Sequence, residues 1–292
     1  MCKDCGCSIT TNHHQHGHTH VDEFGREYTH VHDHEHDDGE HAHESGHHHH
    51  HHDEEEYSHA HQAAHETLHH NPQLNDAKTI SVIKKILDKN DQEAYHNREH
   101  FNEHGVLAIN LMSSPGSGKT TLLEKMAALA PFKYGVVEGD LETSRDADRL
   151  KAVGVEAVQI QTGSACHLDA FMVHKGLHDL PLEPLDVCFI ENVGNLVCPA
   201  SYDVGSHLNI VLVSIPEGED KIAKYPVMFR AADLILITKT DLLPYFKYDI
   251  EREKAEARKI KPNVDILEVN INDEASIKRV IEWIEFKRKM RA

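Results

Sequence analysis

The sequence predicts an α/β fold, a three-layer doubly wound domain with a mostly parallel sheet, behind a His-rich tail too polar to fold. Three observations carry this. From residue 106 to 286, short apolar runs alternate with helical stretches. A Gly-rich turn joins the first of those runs to a helix. And 22 of the 29 His in the 292-residue chain fall within residues 1–70. Strands that are apolar on both faces and separated by helices belong to a parallel sheet covered on both sides.

In chain order, Cys2, Cys5 and Cys7 form a cluster that is too tight to staple a fold and offers three thiolates to a metal. Residues 8–72 contain few apolar side chains (Val21, Phe24, Val31, Leu68) among His, Asp, Glu and Gly. Burial there cannot offset the entropy of ordering, so disorder is expected without metal. The six-His run His47–His52 is internal and continues an earlier pattern (His13, His14, His16, His18, His20), as an appended tag would not. Ile80, Ile83, Ile86 and Leu87 recur at helical spacing, which predicts a connecting helix over 77–103 within a segment 73–104. Residues 105–292 form the main domain. Its expected strands are Val106–Leu111, Gly135–Glu138, Glu156–Ile160, Val187–Glu191, Asn209–Ile215, Leu234–Thr238 and Ile266–Val269. Helices are expected near Thr120–Leu129, Asp249–Lys259 and Ala275–Lys289.

Charge and hydropathy exclude some functions. Thirty Lys and Arg stand against 49 Asp and Glu, a net charge of −19, and residues 1–70 carry most of it with 15 acids and two bases. Such a chain is not a nucleic-acid phosphate binder. No apolar run approaches the roughly 20 residues of a membrane span. With clustered, reduced cysteines, a cytoplasmic protein is expected.

The turn after the first strand reads Ser113-Ser114-Pro115-Gly116-Ser117-Gly118-Lys119-Thr120, and Thr121 follows. Backbone N–H groups at a helix N-terminus hold phosphate if side chains stay clear, as Gly116 and Gly118 permit. Gly116, Ser117, Gly118, Lys119, Thr120 and Thr121 are therefore expected to cradle the phosphates of a nucleotide. Lys119 reaches the β and γ groups, and the Thr120 hydroxyl holds Mg²⁺. Ser113 stands where the pattern has its first Gly. Acids on the metal are expected at the carboxyl ends of neighbouring strands, which nominates Asp140 and Glu191 beside Lys119 for catalysis, with Gly194 as a γ-phosphate sensor. After a later strand, Lys239 and Asp241 suit guanine: the Asp accepts from N1–H and the exocyclic amine, while the Lys stem packs on the base. Thr238 replaces the Asn usual in GTPases.

Cys166, His167 and Cys198 are further candidate ligands. Neighbouring helical side chains diverge by about 100°, so one subunit is not expected to close all three donors around an ion, and a site shared across a two-fold axis is easier to build. Cys188, mid-strand, reads as core. His96, His100 and His104 recur at helical spacing and read as a solvated face, and His174, His178 and His207 receive no role.

Taken together, Cys2-x-x-Cys5-Gly6-Cys7, Ser113–Thr120, Glu138-Gly139-Asp140, Gly163-x-x-Cys166-His167-Leu168-Asp169 and Phe189-Ile190-Glu191-Asn192-Val193-Gly194-Asn195-Leu196-Val197-Cys198-Pro199 resemble the HypB family. These are the nickel-handling GTPase accessory proteins of nickel–iron hydrogenase maturation. The resemblance implies a P-loop GTPase that homodimerises on GTP binding and uses GTP, Mg²⁺, Ni²⁺ and Zn²⁺. It also implies metal at the dimer interface, and delivery of nickel to the hydrogenase large-subunit precursor with a HypA-type partner. Slow intrinsic turnover is expected, since no Arg can be placed as a finger in the same chain. The alternatives are a nickel or zinc storage protein with a vestigial nucleotide site, or a GTPase serving another nickel enzyme such as urease.

Overall fold

The computed structural model describes residues 18–21, 27–30, 77–140 and 145–291. Cys2, Cys5 and Cys7 and the rest of the His-rich segment lie outside the described residues. Within that segment, His18–Val21 pairs antiparallel with Glu27–His30.

Seven strands form the main sheet: β1 (Leu107–Ser113), β2 (Tyr134–Asp140), β3 (Glu156–Gln161), β4 (Val187–Glu191), β5 (Leu208–Ser214), β6 (Leu234–Thr238) and β7 (Asp265–Val269). Their order is β3-β2-β4-β1-β5-β6-β7, and every pairing is parallel. Helices α1 (Ala77–Glu103), α2 (Lys119–Met126), α3 (Arg145–Ala152), α4 (Ala170–Leu177), α5 (Lys221–Lys224), α6 (Pro226–Ala231), α7 (Ile250–Ile260) and α8 (Glu274–Arg291) complete it. The expected strands and the long helix are all present, with ends displaced by a residue or two. Helix α2 stops at Met126 because Leu129 N–H turns back to the Met126 carbonyl at 2.9 Å.

Central strands are apolar on both faces because both are covered. All seven residues of β1 are buried. On one side of the sheet, Ile109, Leu111, Phe189 and Leu212 pack with Leu122 and Leu123 of α2, Leu150 of α3 and Ile284 of α8. On the other, Ala108, Val137 and Ile190 pack on Phe101 of α1 and Val173 of α4, and Val211, Val213 and Ile235 pack on Phe229 of α6 and Ala257 of α7.

Helix α1 is tied to the sheet's covering layer by polar side chains. Asn90 donates to the Asp203 carbonyl at 2.8 Å and accepts from Ala170 N–H at 2.9 Å. The fully buried Asn97 donates to the carbonyls of Ala170 (2.8 Å) and Val204 (3.3 Å). Arg98 grips both Asp203 carboxylate oxygens, at 2.9 and 2.7 Å. The 203–206 loop can approach this closely because residue 205 is glycine: its φ is +84°, and a Cβ would lie 2.5 Å from Asn97 Cβ and 2.6 Å from the Ala94 carbonyl oxygen. Gly205→Ala is expected to cost about 1–3 kcal/mol through left-handed strain and overpacking, read as a lowered urea midpoint at unchanged slope.

Candidate functional site

The carboxyl ends of β1, β2, β4, β5 and β6 converge on one edge of the sheet. There β1 ends at Ser113 and α2 begins at Lys119, capped by Gly118 at φ 101°. A left-handed cap with no side chain leaves the first N–H groups of α2 open to an anion. Lys119 is buried and donates to Ser113 Oγ at 3.1 Å. The serine standing in place of the motif's first glycine thus holds the lysine. Thr121 points elsewhere, its hydroxyl accepting from Arg149 of α3 at 3.2 Å.

Behind the loop lies a buried acidic pair. Thr120 donates its hydroxyl hydrogen to Glu191 Oε1 at 2.7 Å, and Glu191 is 4% exposed with Oε2 unpartnered. Glu138 pairs in register with Glu191 across β2 and β4, is 2% exposed, and also carries an unpartnered oxygen. Burial first, then the neighbouring Glu191 and Asp140, push Glu138 up to about 8. Burial likewise raises Glu191, against the pull of Lys119 and Thr120. Asp140 closes β2, half-buried, with residues 141–144 beyond it outside the described residues. Carboxylates with unfilled lone pairs beside a threonine hydroxyl suit a hard divalent cation such as Mg²⁺, which takes oxygen ligands. Glu138 was missed in the sequence, where it read only as part of a strand end. The signal was its place two residues before Asp140, which puts both on one face of the strand.

On the far side, Thr238 donates to the Ser117 carbonyl at 2.8 Å, and Lys239 donates to the Gly116 carbonyl at 2.6 Å. Thr238 therefore ties the strand before the base-reading position to the phosphate loop, a link that needs a donor and not an Asn in particular. Lys239 has φ 58°, a left-handed turn that swings it back over the loop, while Asp241 stays exposed on the following 3-10 turn, Thr240–Tyr245. A second residue missed in the sequence is Glu217. Its Oε1 accepts from Ser117 Oγ (2.7 Å), Ser214 Oγ (2.8 Å) and Ser214 N–H (2.9 Å), fastening the loop to the end of β5.

The candidate metal ligands meet within one chain: the ligand atoms of Cys166, His167 and Cys198 all lie within 4.8 Å of one another. This corrects the expectation that one subunit would not close the trio. The expectation assumed helical geometry at Cys166–His167, but those residues lie in the loop before α4, where adjacent side chains can turn to the same side. Cys166 Sγ stands 2.9 Å from Cys198 Sγ and 3.8 Å from His167 Nδ1. His167 is 4% exposed and stacks on Tyr202, ring centroids 3.9 Å apart. Burial lowers its pKa against the pull of Asp169, which favours the neutral, ligating imidazole. Two thiolates and one imidazole suit Ni²⁺ or Zn²⁺. Cys188, by contrast, is fully buried in β4 with its thiol pushed up to about 12 by burial, as a core residue.

One segment joins the two sites. It runs from Glu191 at the phosphate loop to Cys198 at the start of the 3-10 turn Cys198–Ser201. Asn192 accepts from Leu168 N–H at 2.9 Å, pinning the metal loop. Asn195 accepts from the N–H groups of Val197 (2.7 Å) and Cys198 (3.3 Å). Between them Gly194 rests on the phosphate loop, where a Cβ would lie 2.7 Å from Pro115 Cα and 2.8 Å from its nitrogen.

A glycine-capped phosphate loop with buried Lys and Thr, facing acids at the ends of parallel strands, defines a P-loop nucleotide-binding protein of the nucleotide-hydrolysing class. Residues 107–268 match the family model described as "CobW/HypB/UreG, nucleotide-binding domain". The chain is 51% identical over 227 residues to the hydrogenase/urease maturation factor HypB of Helicobacter hepaticus, covering 76% of this chain and 93% of that one. It is 43% identical over 221 residues to the hydrogenase maturation factor HypB of Escherichia coli, covering 75% and 76% respectively. The crystal structure of Helicobacter pylori HypB in complex with nickel superposes with a TM-score of 0.69 at 45% identity, covering 70% of this chain and 96% of that one. HypB from Archaeoglobus fulgidus gives 0.65 at 37% identity, covering 69% and 100%. The chain belongs to the HypB family of P-loop GTPases.

Two outcomes follow from the geometry. Gly194→Ala must displace Pro115 and is expected to weaken nucleotide binding tenfold or more with the fold retained, measured by calorimetric titration beside circular dichroism. Glu138 holds its proton in the folded chain at pH values where the unfolded chain has lost it. Its contribution to stability is therefore lost as pH rises from about 4.5 to about 8. Glu138→Gln should flatten that fall by at least ~1 kcal/mol, the worth of about one pKa unit, in urea titrations at pH 5 and pH 8 without nucleotide or divalent ions.

Proposed function

We propose that this chain is a cytoplasmic, GTP-hydrolysing nickel metallochaperone that stores nickel and delivers it during hydrogenase maturation. The observation that carries the reading is the 191–198 segment, which touches the phosphate loop at one end and supplies a metal ligand at the other. A switch of this kind needs one element whose position both ligands bias.

Each residue has a part in it. The N–H groups of Gly116 and Gly118 bind the β-phosphate, joined by that of Ser117 as it leaves the Ser114 carbonyl, 3.4 Å away, with the amides of Thr120 and Thr121 behind them. Lys119 leaves Ser113 to pair with the β and γ groups. Thr120, Asp140 and Glu191 hold Mg²⁺, which when bound neutralises charge between those phosphates. The Thr120 hydroxyl and the Glu191 carboxyl, hydrogen-bonded to each other, would both offer oxygen to that cation. Asp140 orients the attacking water. Lys239 releases the Gly116 carbonyl to cover the guanine face, and Asp241 accepts from the guanine edge. Cys166, His167 and Cys198 take the cargo ion, with Zn²⁺ as a resident alternative to Ni²⁺. Cys2, Cys5 and Cys7 form a separate thiolate site, and the tail's imidazoles hold further ions weakly.

The relatives' names support a place in hydrogenase maturation; as part of the same proposal, the chain works as a homodimer formed on GTP binding, with a HypA-type nickel protein and the hydrogenase large-subunit precursor. The Helicobacter hepaticus relative is named for hydrogenase and urease alike, so a urease precursor is the second candidate acceptor. No helix among the described residues is long and apolar enough to cross a membrane.

The test is nickel affinity at Cys166–Cys198 in full-length chain with Cys2, Cys5 and Cys7 replaced by serine. Thiolate-to-nickel absorption then reports this site alone, since imidazoles of the tail contribute none. A five-fold or larger difference between GDP and a non-hydrolysable GTP analogue, ~1 kcal/mol of coupling, is expected. Equal affinities in the two states would turn the reading to storage with an independent nucleotide site.

A further inference from the structure

The described part of the chain carries a second imidazole cluster, on the face where α1 packs against α4. His100 and His104 stand one turn apart, His100 in the last turn of α1 and His104 just past its end. His174 lies in α4, and His178 caps its carboxyl end. Both pairs have the i, i+4 spacing that stacks side chains on one face of a helix. His100 and His104 approach with ring centroids 4.6 Å apart, and His174 and His178 with centroids 4.8 Å apart. Glu183 lies beside them, one carboxylate oxygen 3.8 Å from His104 Nε2. His100, His104, His178 and Glu183 line an open groove of about 420 Å³.

The hydrogen bonds around His174 determine which of its nitrogens is available. Asn97 spends its amide hydrogens on the carbonyls of Ala170 and Val204, so its Oδ1 is an acceptor. That oxygen lies 3.1 Å from His174 Nδ1, and Glu93 Oε1 lies 3.2 Å from the same nitrogen. Nδ1 therefore carries hydrogen, and the bare lone pair is on Nε2. It points at His178 Nε2, 3.2 Å away. His104 is set in the same way: its Nδ1 donates to the His100 carbonyl at 2.9 Å, leaving Nε2 bare.

We propose that His174 and His178, with an imidazole of the α1 end facing them, form a binding site for a divalent late-transition-metal ion. Two imidazole nitrogens bound to one ion at ~2.0–2.1 Å lie roughly 2.9–3.4 Å apart across octahedral and tetrahedral geometries. The observed 3.2 Å falls in that span. Without an ion the same distance is spanned by a hydrogen bond from His178 Nε2–H, and the carboxylate and amide oxygens on the opposite nitrogen of His174 fix the tautomer with a bare Nε2 that a metal also requires. That arrangement is how proteins orient a ligating histidine and raise its basicity. On binding, the ion takes the place of the hydrogen on His178 Nε2, which passes through water to His178 Nδ1, so that both imidazoles bind as neutral rings. His100 or His104 and water fill the other positions. Hard cations such as Mg²⁺ are not served by an imidazole set. The site is separate from Cys166–His167–Cys198, which precedes the start of α4, and helix α4 would carry metal at both ends.

Hydrogen–deuterium exchange of the full-length chain, with and without nickel chloride, tests this. Metal should slow exchange at least fivefold in peptides covering 97–104 and 172–179. The slowing should persist in Cys166→Ala/Cys198→Ala and vanish in His174→Gln/His178→Gln. His178→Gln alone, at an exposed position, guards against a misfolded double variant. Unchanged exchange in the wild-type peptides would overturn the proposal. So would slowing that survives His178→Gln, or slowing that disappears with the two cysteines.

Discussion

The arrangement of the site depends on keeping Glu191 out of water. The Thr120 hydroxyl donates to one of its oxygens, and Glu138 sits in register beside it on β2. Two carboxyl groups at the end of a parallel sheet are tolerated there because at least one stays protonated; both ionised in a low dielectric would repel strongly. A divalent cation reverses the balance, making the charged forms the favoured ones. The sheet's topology imposes this placement. β4 and β2 are adjacent, so their carboxyl ends bring both acids beside the helix that β1 launches.

The same constraint explains the polar framework around the phosphate loop. Ser113 holds Lys119, Thr238 and Lys239 hold the carbonyls of Ser117 and Gly116, and Glu217 collects three donors from Ser117 and Ser214. The loop's own N–H groups stay largely uncommitted, while its carbonyls and side chains are tied. A preorganised anion cradle requires that division, since donors already spent on protein would have to be freed at each binding event.

Much of the fold was legible because apolar runs such as Val187–Glu191 and Leu234–Thr238 have lengths and flanks that only buried parallel strands satisfy. The phosphate loop was legible for a different reason: glycines, lysine and threonine at that spacing leave few alternatives. What the sequence did not show was pairing across strands. Glu138 gains its meaning from standing opposite Glu191, and strand order is not written in local periodicity. The closeness of Cys166 to His167 was misjudged because helical geometry was assumed for a loop. Tyr202, stacked on His167, and the His174–His178 pair depend on contacts between segments distant in the chain or on side-chain rotation, to which a periodicity count is blind.

The contact between Gly194 and Pro115 has a mechanical consequence. Most contacts between a loop and its neighbour include side chains that can change rotamer, and so absorb a displacement of a few tenths of an ångström. Here backbone meets a proline ring with no space for even a methyl group. Neither partner has a rotatable side chain to give way, and packed interiors are stiff. Any outward shift of Pro115 is therefore passed on to residue 194 as a translation of the chain. In the proposed switch the junction would act as a rigid pushrod, its lack of compliance letting a small movement at the phosphates reach a thiolate four residues further on.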